Sequence, residues 1–171
     1  MQKTHAAIGS TAFFIAAPGT VTLLIPWLIT RWESRDLLPD ALSWATPALV
    51  AVGGALILAG SAVVISAFAR FVVDGLGTPA PVAPPEHLVV TGLYRYVRNP
   101  MYVGVPAILI GEALLLGRWE LLAYTAIVFA CVYTFARFYE EPKLRSLFGH
   151  EYETYRAAVP GWWPRLRPWR P

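Results

Sequence analysis

Charge is scarce in this chain. Asp, Glu, Lys and Arg make up 15% of its 171 residues, against about 25% in an ordinary soluble domain. That shortage excludes a surface solvated on all sides. Hydrophobic residues reach 56% and the mean hydropathy is +0.49, so an all-α integral membrane protein is expected. Cysteine is nearly absent. Cys131 stands alone within an apolar segment, which rules out an intrachain disulfide and leaves the redox compartment unmarked. The sequence also lacks a P-loop, zinc-ligand spacing, a Ser/His/Asp motif and a solenoid repeat. No metal and no nucleic acid is expected as a partner. The length suits one domain.

What is present is a set of long apolar runs. A spanning helix needs about 20 apolar residues. The first run, 8–30, contains Pro18, Gly19 and Pro26, and it is too long for the apolar core of a cleaved signal. The second covers 42–68 and is rich in Gly, Ala and Ser, which let helices approach closely. Residues 70–99 include four prolines between Thr78 and Glu86 and cannot span. The third run is Pro100–Leu116 and the fourth 119–139. Only Gly117 and Arg118 part them, so a tight antiparallel hairpin is expected. The architecture is therefore about four transmembrane helices followed by cytoplasmic C-terminal helices. In that tail Leu144, Leu147, Phe148, Tyr152 and Tyr155 recur at helical spacing, and Gly149 marks a break.

Basic residues set the orientation. Arg70, Arg95 and Arg98 lie between the second and third runs, and six more Lys or Arg lie in the tail. The positive-inside rule puts both segments, and both termini, in the cytoplasm. Trp162, Trp163 and Trp169 interleave with Arg165, Arg167 and Arg170, a pattern suited to contact with an anionic lipid leaflet.

The chemistry-bearing residues gather at that face. "YRYVRNPMYVG", residues 94–104, enters the third helix. Asn99 is a favoured N-cap and Pro100 a favoured first residue. The helix start offers free N–H groups and a positive dipole end, and Arg95 and Arg98 reinforce an anion site there. Headgroup anchoring by the arginines is the ordinary alternative. Arg137, Glu140 and Glu141 leave the fourth helix at the same face, and a local pair of Arg137 with either glutamate is an equally ordinary outcome. Glu112 lies mid-helix, where charge is costly and marks function by default.

The motif "HLVVTGLYRYVRNPMYVG", then a hairpin, then "RFYEEPKLRSLFGHEYETYRAAVPGWWP", resembles the isoprenylcysteine carboxyl methyltransferase family and its bacterial relatives. Phospholipid N-methyltransferases share the general plan. The resemblance covers residues 86–164. It implies a membrane methyltransferase using S-adenosylmethionine, held in a cytoplasmic pocket between the last two spans and the C-terminal helices. Carried over by motif, its cofactor residues are Glu86, His87, Leu88, Val89, Tyr94, Arg98, Asn99, Pro100, Met101, Tyr102 and Glu140. A substrate-side arginine of the family falls near Arg137. The implied location is a bacterial inner membrane.

Asn99 stands where the family usually has His. Asn can copy one imidazole hydrogen bond but does not titrate near neutrality. Methyl transfer to a carboxylate needs no proton removed, so that substitution is compatible with O-methylation. An amine acceptor would need a base, for which Glu140 or Glu141 is the candidate. The expected acceptor is a lipophilic or lipidated molecule bearing a carboxylate. The alternatives are N-methylation of a phospholipid or other amine, or a non-catalytic relative that binds a lipid or partner.

Overall fold

The structure, a computed structural model, describes residues 16–36, 38–75 and 87–170. The start of the first expected span and Glu86 lie outside the described residues. All regular structure among the described residues is helical. Two stretches, 40–70 and 119–158, are long and apolar enough to cross a membrane, and two shorter apolar helices accompany them.

Helix α1, Ala16–Thr30, loosens into a π-helical turn over Thr20–Leu24, between its two prolines. The hydroxyls of Thr22 and Thr30 each donate to the carbonyl four residues back, those of Pro18 and Pro26 (both 2.8 Å). Polar groups in apolar surroundings must be satisfied internally, and these are. After a 3-10 turn at Asp40–Ala45, helix α2 runs Thr46–Gly75. It extends beyond the expected end at Phe68.

Helix α3, Pro100–Leu116, is the main partner of α2. Their contact is built on glycine. A Cβ on Gly53 would stand 2.7 Å from the Gly111 carbonyl oxygen, and one on Gly60 would stand 2.7 Å from the Gly104 carbonyl oxygen. The pairs run antiparallel: as one number rises by seven, the other falls by seven. Small residues here permit backbone-to-backbone approach that any side chain would block.

Gly117, at φ 65°, closes α3 in the left-handed conformation that glycine adopts without strain, and Arg118 leads directly into α4, Trp119–Phe135. The expected bounds of α3 and the two-residue link are those of the structure. Glu112 is buried in α3, and its Oε2 has no hydrogen-bond partner. It lies ten residues beyond Tyr102, about 15 Å along the helix, and so away from the α3 start.

The fourth apolar run does not stay α-helical to Tyr139. A π turn occupies Ala136–Glu140, and α5 continues over Glu141–Ala158. Pro142 sits in the first turn of α5, directly after the π turn, and has no N–H to donate to the helix behind it. Gly149, at φ 50° and ψ −121°, breaks α5 where the sequence places a break. Beyond it Tyr152, Tyr155 and Val159 form a core against Leu88, Val90, Leu144 and Phe148. Leu147 departs from the expected stripe and is half exposed.

The last described segment, 159–170, is an irregular strap with bends at 161–163 and 166–167. It lies along the loop that enters α3. Arg98 N donates to Pro160 O (2.9 Å), Asn99 N to Gly161 O (3.2 Å), Arg165 N to Tyr96 O (3.0 Å) and Trp169 N to Arg95 O (2.9 Å).

Candidate active site

A small cavity opens where the α3 start meets the π turn after α4. Tyr94, Arg98, Asn99, Pro100, Met101, Tyr102 and Glu140 line it. It encloses about 50 Å³. Local chain chemistry explains the α3 side. Pro100 begins the helix without needing an acceptor, and the Asn99 carbonyl accepts from Val103 N (3.2 Å). The N–H groups of Met101 and Tyr102 have no intrahelical acceptor, as in any first turn.

Asn99 occupies the N-cap position but does not cap with its side chain. Its backbone, at φ −117° and ψ 58°, leaves the usual extended cap conformation, and no side-chain cap bond forms. Instead Nδ2 is buried without a partner. Glu140, across the cavity, has the complementary deficit: one oxygen, Oε2, is buried without a partner. Its carboxylate is hydrogen-bonded to the Tyr102 hydroxyl. A donor and an acceptor with no protein partner, on one small cavity, are costly unless something else satisfies them.

Behind the cavity stands an ion-pair hub. Glu141 Oε1 accepts from Arg98 Nη1 (2.9 Å), Oε2 from Arg137 Nη1 (2.9 Å), and Arg156 Nε lies 3.7 Å away. Arg98 also donates to the Tyr152 hydroxyl (2.9 Å) and to the Val159 carbonyl (3.0 Å). Arg95 and Arg98, expected to reinforce an anion site, are both engaged within the protein. Arg98 is spent on Glu141, Tyr152 and Val159, and Arg95 Nε donates to the Trp169 carbonyl (2.6 Å). Both guanidinium groups anchor the C-terminal part to the α3 entry.

Burial sets the protonation of the cavity groups. It pushes Tyr94 far above an ordinary phenol, and the negative charge of Glu140 pushes the same way. Tyr155 is raised chiefly by burial, with Arg98 opposing. Its hydroxyl donates to the Tyr94 carbonyl (2.7 Å). Glu140 is raised first by burial and then by Glu141, while its Tyr102 bond and the Arg98 charge act against the shift. The phenols thus remain O–H groups, and Glu140 titrates above the usual carboxylate range.

The remaining expected site residues lie elsewhere. His87 is exposed, and Leu88 packs on the α5 core. Val89 packs with Ala67 and Tyr94. None of these three lines the cavity. Arg137 is half exposed beside Glu141. Trp162, expected at the lipid interface with its neighbours, is half-buried and packs on aromatic rings of α3 and α4. Its ring lies 6.4 Å from that of Tyr102, 5.3 Å from Phe129 and 5.2 Å from Tyr133. Trp169 packs against Tyr155 (5.5 Å). The chain bends at 161–163, and the neighbouring Trp163 is left exposed. Among the described residues no group of three His, Cys, Asp or Glu is placed to hold a metal.

Comparison with known proteins places this geometry. The family model for phospholipid methyltransferases matches residues 48–151. The chain belongs to the phospholipid methyltransferase family. The match runs from α2 through the π turn into α5, so it includes every residue that lines the cavity and stops short of the strap. A protein-S-isoprenylcysteine O-methyltransferase of Schizosaccharomyces pombe is 39% identical over 82 residues, which is 47% of this chain and 35% of the relative. The chain thus matches about a third of that relative's length. No solved structure matches. The chain thus combines membership of this family with long apolar helices, and its motifs resemble the isoprenylcysteine branch.

Proposed function

We propose that the protein transfers a methyl group from S-adenosylmethionine to a lipidic or prenylated acceptor, preferably at a carboxylate. The single observation that carries this is the paired deficit on one cavity: Glu140 Oε2 without a donor and Asn99 Nδ2 without an acceptor. The residues fit the donor molecule. Glu140 would receive its amino group or ribose hydroxyls. Asn99 Nδ2 and the open N–H groups of Met101 and Tyr102 would meet its carboxylate. Tyr94 and Tyr102 offer ring faces to adenine or to the sulfonium. Bound there, the cofactor supplies an electrophilic methyl on a positively charged sulfur.

The chain's own residues then orient the acceptor and exclude water. Transfer cancels charge, so a dry pocket favours it. A carboxylate acceptor is already ionised at neutral pH and needs no base, which accords with Asn99 in place of a histidine. Arg137 has one side on Glu141 and half its surface open. We assign it the acceptor's anionic group. Glu141, held by three arginines, positions Arg98 and Arg137, and Glu140 takes the base role if the acceptor is an amine. The family's description, phospholipid methyltransferase, favours that second reading, N-methylation. By family motif we also assign Glu86, His87, Leu88 and Val89 to the donor site. In the topology we favour, four helices span, and the cavity and both termini face the cytoplasm.

The deciding experiment incubates purified protein with methyl-labelled S-adenosylmethionine and a membrane lipid extract, then applies mild alkali. Label released as methanol marks an ester. Label that stays marks an N-methyl product. Absence of both transfer and donor binding in lipid nanodiscs overturns the proposal.

A further inference from the structure

We propose that the C-terminal strap, residues 159–170, docks on an anionic lipid leaflet and in doing so holds the rim of the cavity. The inference rests on the methyltransferase reading only for what the rim does. The docking itself stands on the strap's two faces.

The inner face is bonded to the site. Pro160 and Gly161 carbonyls take the N–H groups of Arg98 and Asn99, two residues that line the cavity. A Cβ on Gly161 would stand 3.1 Å from Arg98 Nη2 and 3.5 Å from Asn99 Nδ2. Trp162 stacks near Tyr102, another wall residue. Any displacement of the strap therefore reaches three of the cavity's residues directly.

The outer face has the chemistry of a lipid interface. Trp163 is 81% exposed and Leu166 is 99% exposed. Arg167 and Arg170 are exposed beside them. From Arg156 to Arg170 the chain holds four arginines and no acid. Tryptophan at headgroup depth beside arginine is the usual composition of such a boundary, and each basic residue adds about 1 kcal/mol near an anionic leaflet, a factor of roughly five in affinity. Continuity with the apolar helices fixes where this face lies. Trp162 packs on Phe129 and Tyr133, which are themselves about 40% exposed on the apolar α4. The strap thus crosses the edge of a lipid-facing helix. An exposed leucine and tryptophan there would be withdrawn from water by the bilayer, and a soluble acidic partner would leave them uncovered.

The cavity of about 50 Å³ holds only a few water-sized volumes, so a nucleoside-sized donor must displace part of its wall. A strap held by an anionic leaflet returns the Arg98 and Asn99 amides to their closed partners.

The test uses the full chain in nanodiscs of phosphatidylcholine alone or with phosphatidylglycerol. Hydrogen exchange is followed at the Arg98 and Asn99 amides, and Trp163 fluorescence is followed with brominated lipid, against W163F. Phosphatidylglycerol is expected to slow exchange at both amides about tenfold and to allow quenching of Trp163. Arg167→Glu with Arg170→Glu removes the slowing, and raised salt weakens it. Both arginines are exposed, so the fold stays intact, which unchanged exchange within α2 and α3 verifies. Equal exchange in the two discs, or full slowing in the charge-reversed protein, overturns the proposal. Slowing by a soluble polyanion in phosphatidylcholine discs but not by phosphatidylglycerol assigns the face to another partner and overturns it also. None of these readouts needs methyl transfer. An inactive protein that shows the lipid dependence removes the enzyme reading and keeps the docking.

Discussion

Arg98 Nη1 stands 2.9 Å from Glu141 Oε1, with both side chains almost withdrawn from solvent. The pair joins the entry of α3 to the start of α5, 43 residues apart in sequence. Breaking a buried pair leaves a charge uncompensated, a loss of about 3–5 kcal/mol. Glu141 keeps Arg137 and Arg156, so Arg98→Ala should fall at the low end of that range. Glu141→Ala leaves three guanidinium groups facing one another and should be the more damaging. Thermal denaturation in detergent orders the two variants, and the reverse order contradicts the hub.

Glu140 gives a pH signature. Its carboxyl is raised above the ordinary 4.5 by burial, so it takes up a proton at a higher pH than an exposed glutamate. Only the ionised form can receive the donor's ammonium. S-adenosylmethionine affinity should therefore be full at the alkaline end and fall on acidification while pH is still above 4.5. Glu140→Gln should bind at least about tenfold more weakly and lose that pH dependence. Calorimetric titration across the range reads both effects.

Asn99 tests whether the cavity tolerates the family's usual residue. Asn99→His keeps a hydrogen-bonding nitrogen near the position of Nδ2 and should retain or raise donor binding. Asn99→Ala removes an unpartnered buried donor, so its stability should change little while donor affinity drops. A large loss of stability in Asn99→Ala would mean that the amide has a structural partner, and would falsify its assignment to the ligand.

The glycine contact between α2 and α3 predicts a sharp contrast on one helix. Gly60→Val places a side chain 2.7 Å from the Gly104 carbonyl and should cost about 1–3 kcal/mol or more. Gly54→Ala meets nothing within 4 Å and should be neutral or stabilise by about 0.5–1 kcal/mol. Melting temperatures of the two proteins provide the comparison.

Features governed by neighbouring residues were legible in the sequence. Proline at 100 starts α3, glycine at 117 ends it, and glycine at 149 breaks α5, because each acts through its own backbone angles. The cluster from Tyr94 to Tyr102 with Glu140 could be read as one site because a tight hairpin forces its two halves together. Contacts between distant segments were not legible. The pairing of Gly53 with Gly111 depends on helix register. The packing of Trp162 on α3 and α4 depends on a strap whose bonds are all non-local. The engagement of Arg98 by Glu141 depends on the direction that the π turn gives to α5.

That π turn also fixes a phase. Glu140 faces the cavity while its immediate neighbour faces the arginines, and each additional residue in a helix turns the remainder of that helix by about 100°. Deleting one residue within 136–140 would leave the apolar helix and α5 both intact as helices. It would close the π turn into an α turn and remove the extra residue that lets Glu140 face the cavity while Glu141 faces Arg98. Chimeras that exchange the C-terminal helix between relatives must therefore be joined by residue count at this turn, since matching helix boundaries alone would assemble every part and align none of the site.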